Sequence, residues 1–173
     1  MPAKKFLQLK DGFPQESLAT QVSTGASNGG DLVALNDQGK LDDSMMPTGI
    51  GADTATVVAS EALAAGDYVN IYNNAGTANV RKADASGGLA KMAHGFVKTG
   101  FASGAQATVY FEGTNDQVSG LTPGNVWLSA TTAGKATNTP PTGAGVISQP
   151  LGTAISATSV NAEISKQPIL QVA

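Results

Sequence analysis

The chain has 173 residues and a mass of 17.3 kDa, room for one compact domain with an appendage or two very small ones. Ten basic residues against thirteen acidic ones give a formal net charge of -3, and only Lys4, Lys5 and Lys10 group together, so nucleic acid is excluded as an expected partner. With no Cys there is no disulfide framework or thiolate metal site, and no run nears the ~18 apolar residues of a membrane span.

The residues are 41% hydrophobic but only 5% aromatic, with 21 Gly and 8 Pro. The apolar content is therefore mostly Ala and Val, the core is expected to be thin, and a neighbouring copy is a natural cover for what one chain leaves bare. The opening stretch Met1 to Asp11 has basic residues but only a broken apolar run before Lys10, so it does not read as a signal peptide.

Residues 1–50 are rich in Gly, Ser, Asn, Asp and Gln, with apolar residues in three isolated groups. Phe6, Leu7, Leu9 and Phe13 form the first, Leu32, Val33 and Leu35 the second, and Leu41, Met45 and Met46 the third. None has neighbours enough to close a core. Ser23 to Gly30 has linker composition and Asn36-Asp37-Gln38-Gly39-Lys40 reads as a turn. The region is expected to be an extended N-terminal arm whose apolar groups dock on a partner or a neighbouring subunit; the alternative is a hairpin packed on its own body.

From residue 51 to 173 strands and turns alternate. The expected strands are Thr54 to Ala59, Tyr68 to Tyr72, Asn79 to Lys82, Gly95 to Val97 and Ala107 to Glu112, then Val126 to Leu128, Val146-Ile147, Leu151 to Ile155, Val160 to Ile164 and Ile169 to Val172. Turns are expected at Asn74-Ala75-Gly76 and Leu121-Thr122-Pro123-Gly124. No stretch keeps a helical period; Ser60 to Ala65 and Ser86 to Lys91 allow a turn of helix at most. The fold class is all-β: a small antiparallel barrel or sandwich body behind the arm. Leu63 to Val69 matches Leu121 to Trp127 in spacing, and Gly76 and Gly134 each follow ten residues after the Gly of their segment. That spacing offers a division of the body into two similar units, 51–117 and 118–173; reuse of Gly in any turn-rich β protein would produce the same spacing.

Chemistry is sparse. The only His is His94, with no nucleophile elbow near it. The acidic residues Asp67, Asp84, Glu112, Asp116 and Glu163 fall at turns or strand ends, and Asp42 and Asp43 are adjacent, which points them apart in a strand. Ser86-Gly87-Gly88 and Thr142-Gly143-Ala144-Gly145 lack the Lys-Ser/Thr ending of a phosphate loop, and Asn36 to Gly39 lacks the ligand set of a calcium loop. No enzymatic activity, cofactor or metal is expected.

Two stretches carry a resemblance. Leu35 to Gly51 is similar to the segment preceding small β domains in tailed-bacteriophage virion proteins. Gly120 to Ser129, continuing through Pro140-Pro141 to Gln149-Pro150-Leu151-Gly152-Thr153-Ala154, resembles β modules of head-decoration proteins, head fibres and some tail fibres. The resemblance covers about two-thirds of the chain. It implies a structural protein of the virion on the capsid exterior, made in the host cytoplasm, commonly a homotrimer, which binds the major capsid protein and clamps neighbouring shell subunits through its arm. The second reading it allows is a tail-fibre or head-fibre protein for host-cell attachment. The lack of a shaft-forming repeat between arm and body favours decoration.

Overall fold

The computed structural model describes residues 5–46 and 52–172. Lys4 and the stretch 47–51, both read with their neighbours in the sequence, lie outside these residues. The chain divides into two units, Met1–Gly51 and Ala52–Ala173.

In the first unit, β1 (Lys5–Lys10) and β2 (Phe13–Leu18) form an antiparallel hairpin whose register runs from Lys5↔Leu18 to Lys10↔Phe13. The link is Asp11-Gly12, with φ of 54° and 84°. Two successive positive φ values match the right-handed twist of the strands, and an Asp-Gly pair tolerates both. Within the expected N-terminal arm, residues 5–18 therefore double back on themselves at that turn. Farther on, Thr20 bridges Val33 in parallel, its N–H donating to Leu32 O at 2.8 Å while Ala34 N–H donates to Thr20 O at 2.9 Å. Asn36 Oδ1 accepts from the amides of Gln38 and Lys40, both at 3.0 Å, and so builds the turn at 36–40. No residue described in 5–46 is buried; local hydrogen bonds, and not a core, shape this segment.

The second unit opens with a closed barrel of β3 (Thr54–Ala59), β4 (Tyr68–Asn74), β5 (Thr77–Lys82), β6 (Gly95–Phe96) and β7 (Gln106–Tyr110), ordered β3-β5-β4-β6-β7. All pairs are antiparallel except β3 with β5, where Val58↔Asn79 and Ala59↔Val80 close the ring. It continues with β8 (Gly113–Asn115), β9 (Gly124–Leu128), β10 (Ala136–Thr137), β11 (Ile147–Ser148), β12 (Pro150–Ser156), β13 (Ser159–Ala162) and β14 (Ile169–Leu170). Five of these form a sheet ordered β10-β9-β12-β13-β8, and β11 pairs with β14 alone.

That sheet repeats the barrel's pairing. Reading β8, β9, β10, β12 and β13 for β3, β4, β5, β6 and β7 turns the barrel order into the sheet order, and the registers follow: Tyr68↔Phe96 corresponds to Val126↔Gly152, Phe96↔Tyr110 to Gly152↔Ala162, and Val69↔Lys82 to Trp127↔Thr137. The repeat is divided near Phe111-Glu112, ahead of the expected boundary at 117, because Gly113–Asn115 already pairs with β13. The sheet does not close as the barrel does. β8 stops at Asn115, where the Asn115 Oδ1 accepts from Gln117 N–H at 3.3 Å and bends the chain before it reaches the residues that would meet β10. Gly134, in the β9–β10 turn, bonds instead to the barrel, accepting from Tyr68 N–H at 2.8 Å and donating to Ala83 O at 2.7 Å.

Strand alternation then separates two cores. Val57, Ala59, Val69, Val80, Val97, Ala107 and Val109 fill the barrel, while their neighbours Tyr68 and Phe96 point outward into a second cluster with Val126, Leu128, Leu151 and Val160 of the sheet and Ile147 of β11. Tyr68, Phe96 and Tyr110 form a ladder of rings with centroids 6.2 and 5.7 Å apart. Gln149, wholly buried, fastens the halves: its Oε1 accepts from Ala93 N–H at 2.7 Å, and its Nε2 donates to Ala93 O at 2.9 Å and Ser165 O at 2.8 Å. Its amide is thus hydrogen-bonded at both ends, which is the condition for burying it without loss.

Candidate interaction surface

The apolar residues of the first unit are displayed rather than packed. In the hairpin, paired residues share a face, so Leu7, Leu9, Pro14 and Leu18 lie on one side with Lys5 and Glu16, and Phe6, Gln8, Gln15, Ser17, Lys10 and Phe13 lie on the other. Leu7, Leu9 and Phe13 are 72%, 75% and 74% exposed, and Leu18 is exposed with them. Lys5 Nζ pairs with Glu16 Oε2 at 2.7 Å across the first face; both ends are in water, so the pair adds little stability.

Phe6 is half-buried and lines a shallow groove of about 510 Å³ with Leu32, Val33, Leu35 and Asp37. The parallel bridge at Thr20 holds that strip in place, and Gln21 Nε2 adds a bond to Leu35 O at 2.7 Å. Leu32, Val33 and Leu35 remain exposed. Leu41 and Met46 are exposed as well, and Met45, in the short 3-10 turn Asp43–Met45, is half-buried. The ten residues singled out in the sequence thus fall into a hairpin group, a groove group joined to the hairpin through Phe6, and a separate turn group. Pro14, Leu18 and Val22 are exposed too and were not singled out; the Asp11-Gly12 pair followed by Phe13 to Leu18 was the signal for Pro14 and Leu18, and Val22 carried none.

Polar side chains brace this surface. Asn28 Oδ1 accepts from Thr24 N–H at 2.7 Å, and Asp31 Oδ2 accepts from Asn28 Nδ2 at 2.8 Å and Thr20 Oγ1 at 2.7 Å. The bond from Asn28, with that from Thr20, holds the Asp31 carboxyl below its ordinary pKa, and Ser44 does the same for Asp42.

The body has a wide cleft of about 1180 Å³ between the end of the barrel and the end of β13. Asp53, His94, Glu112, Glu163 and Lys166 stand in its walls among Ile71, Phe111 and Ile164. His94 Nδ1 accepts from Ile71 N–H at 3.0 Å, so a neutral ring carries its proton on Nε2, and burial lowers its pKa. Among the described residues His94 makes no hydrogen bond to a hydroxyl or carboxylate that would build a nucleophile–base pair, and no group of three or more His, Asp or Glu is placed to hold a metal ion.

What fold and surface define together is an all-β chain with a doubled body and a segment that displays apolar side chains. No protein-family model, curated protein or solved structure matches it.

Proposed function

We propose that this chain is a non-enzymatic structural protein of a bacteriophage virion that decorates the head, binding the major capsid protein through residues 5–46 and stabilising the shell by bridging neighbouring subunits. One observation carries the reading: none of the described residues 5–46 is buried, and large apolar side chains from Leu7 to Met46 are displayed on a segment shaped by local polar hydrogen bonds. Such a surface gains its stability only when something covers it, and each large side chain fully buried contributes about 1.5 to 3 kcal/mol before ordering costs. A homotrimer would present three such segments, raising a modest single-site affinity through effective concentration.

The test mixes undecorated capsids of the encoding phage with the full-length chain and with a chain lacking residues 1–46. The expected outcome is co-sedimentation and a raised temperature of genome release with the full-length chain only. If the full-length chain does neither while residues 52–173 adhere to host cells, the host-attachment fibre reading replaces this one.

A further inference from the structure

Asn28 is the only asparagine in the chain that is followed by glycine. Such a pair can react with nothing but water. The glycine amide nitrogen, which no side chain of its own shields, attacks the asparagine Cγ. The N–Cγ bond forms and the Cγ–Nδ2 bond breaks; the proton of the attacking nitrogen leaves with the carboxamide nitrogen as ammonia, and a succinimide ring remains. Water then opens the ring at either carbonyl, giving aspartate or, with the chain rerouted through the side chain, isoaspartate. An amide and a water have become a carboxylate and ammonium, with no oxidant or reductant.

In the folded chain both reacting groups are occupied. Gly29 N–H closes the short 3-10 turn Ala26–Asn28 by donating to Ala26 O at 3.1 Å. Asn28 Oδ1 accepts from Thr24 N–H at 2.7 Å and from Thr24 Oγ1 at 2.8 Å, and Nδ2 donates to Asp31 Oδ2 at 2.8 Å. The ring closes only when the turn opens and the carboxamide lets go, so local unfolding gates the chemistry. The same Asp31 Oδ2 accepts from Thr20 Oγ1 at 2.7 Å, and Thr20 is the residue whose backbone bonds to Leu32 and Ala34. Asn28 thus stands at one end of a chain of hydrogen bonds, through Asp31 and Thr20, whose other end is the apolar strip Leu32, Val33 and Leu35.

We propose that Asn28-Gly29 is a self-modifying site and a one-way switch on that strip: deamidation, slowed by the folded turn, replaces the amide donor with a carboxylate and breaks the link from Asp31 to Thr20. A carboxylate only accepts. Facing Asp31, it sets two like charges where one hydrogen bond had been, and they are relieved when Asp31 leaves Thr20 or the turn opens. Isoaspartate lengthens the backbone as well and cannot keep the bonds of the 3-10 turn. The product does not revert, so the display of the strip changes with the age of the protein. The inference stands without the capsid-binding reading, and its test uses no capsids.

The full-length chain is aged in mildly alkaline buffer beside the same chain unfolded in urea, and conversion at Asn28 is followed by peptide mass spectrometry. Conversion is expected to be roughly tenfold slower in the folded chain, and Asp31→Ala should bring the folded rate to within about threefold of the unfolded one. Asn28→Asp then stands in for the aged product. The amides of Thr20 and Ala34 should exchange with solvent roughly tenfold faster in it than in the parent, and adding Asp31→Asn, which returns a donor to face the new carboxylate, should restore slow exchange. Four results overturn the proposal: equal conversion in folded and unfolded chain, a folded chain still unconverted after about a hundred half-times of the unfolded one, Asp31→Ala converting no faster than the parent, or Asn28→Asp exchanging as the parent does. A double variant that exchanges as fast as Asn28→Asp alone overturns the part played by charge.

Discussion

Asp67, at the start of β4, and Lys135, beside β10, form an ion pair of 2.6 Å that joins the barrel to the sheet. Asp67 is 1% exposed and its Oδ2 also accepts from Ala64 N–H at 2.9 Å. Lys135 reaches it from the surface, its side chain 45% exposed. Lys135→Met would leave a buried carboxylate without its cation. The expected loss is about 3 kcal/mol, the low end for breaking a buried pair because the lysine keeps contact with water. Urea unfolding checks it, and a loss below about 1 kcal/mol would mean that water replaces the lysine.

Gly66 and Gly124 occupy corresponding places in the two halves, Gly66 just before β4 and Gly124 at the start of β9, the strands that carry the outward apolar residues. Both have positive φ, 82° and 128°. A Cβ on Gly66 would run into the carbonyl of Gln117, whereas a Cβ on Gly124 would meet nothing. Gly124→Ala therefore carries backbone strain alone, while Gly66→Ala adds a clash with main chain. The second substitution should cost about 1 to 3 kcal/mol more than the first. Thermal unfolding of the two variants gives the comparison.

The β4–β5 turn holds Ala75 at φ 50°, followed by Gly76 at 89°. An alanine in this region is strained by its Cβ, and asparagine tolerates it better. Gly76 N–H already donates to Asn73 Oδ1 at 2.8 Å, so the turn geometry does not depend on the Ala75 side chain. Ala75→Asn should raise stability by about 0.5 to 1 kcal/mol, seen as a higher denaturation midpoint at unchanged slope.

His94 gives the body a pH dependence. Burial lowers its folded-state pKa, and the Ile71 amide it accepts from requires an unprotonated Nδ1. A base whose pKa is lower folded than unfolded takes up its proton first in the unfolded chain. Stability from this group is therefore full above the ordinary histidine range near pH 6.5 and falls as pH drops through that value toward the folded pKa. The charged groups around the cleft, Asp53, Glu112, Glu163 and Lys166, face the same space. The denaturation midpoint of the parent chain should decline between about pH 7 and pH 5.5, and in His94→Gln that part of the decline should vanish.

Leu7 and Leu9 separate binding from folding. Both are exposed, so replacing them with Ser should change unfolding free energy by no more than about 0.5 kcal/mol. The capsid affinity of the double variant should fall by more than about tenfold, since each side chain contributes at the docked surface. Parallel unfolding and co-sedimentation measurements test the split; a variant that binds normally would place the contact elsewhere.

Local order along the chain is written in the residues themselves. The β-branched run Thr54 to Ala59 is a strand over those residues, alternation marks β4 and β7, Gly and Asn mark the Ala75-Gly76 turn, and the spacing of Gly66 with Gly124 and of Gly76 with Gly134 follows the repeated pairing order. The scarcity of apolar neighbours in residues 5–46 likewise settles that this segment has no core, because no arrangement of separated groups can bury them. Tertiary structure decided the rest. β8 and β10, three and two residues long, carry no periodicity and are strands only because β13 and β9 lie beside them. Which half closes depends on a meeting of distant residues: Val58 and Ala59 reach Asn79 and Val80, whereas Asn115 turns away and the barrel's Tyr68 and Ala83 bond to Gly134 in place of a closing strand. The two edges of the hairpin also differ only once register is set, since Pro14 obstructs pairing from an outward position and would have broken the hairpin from an inward one.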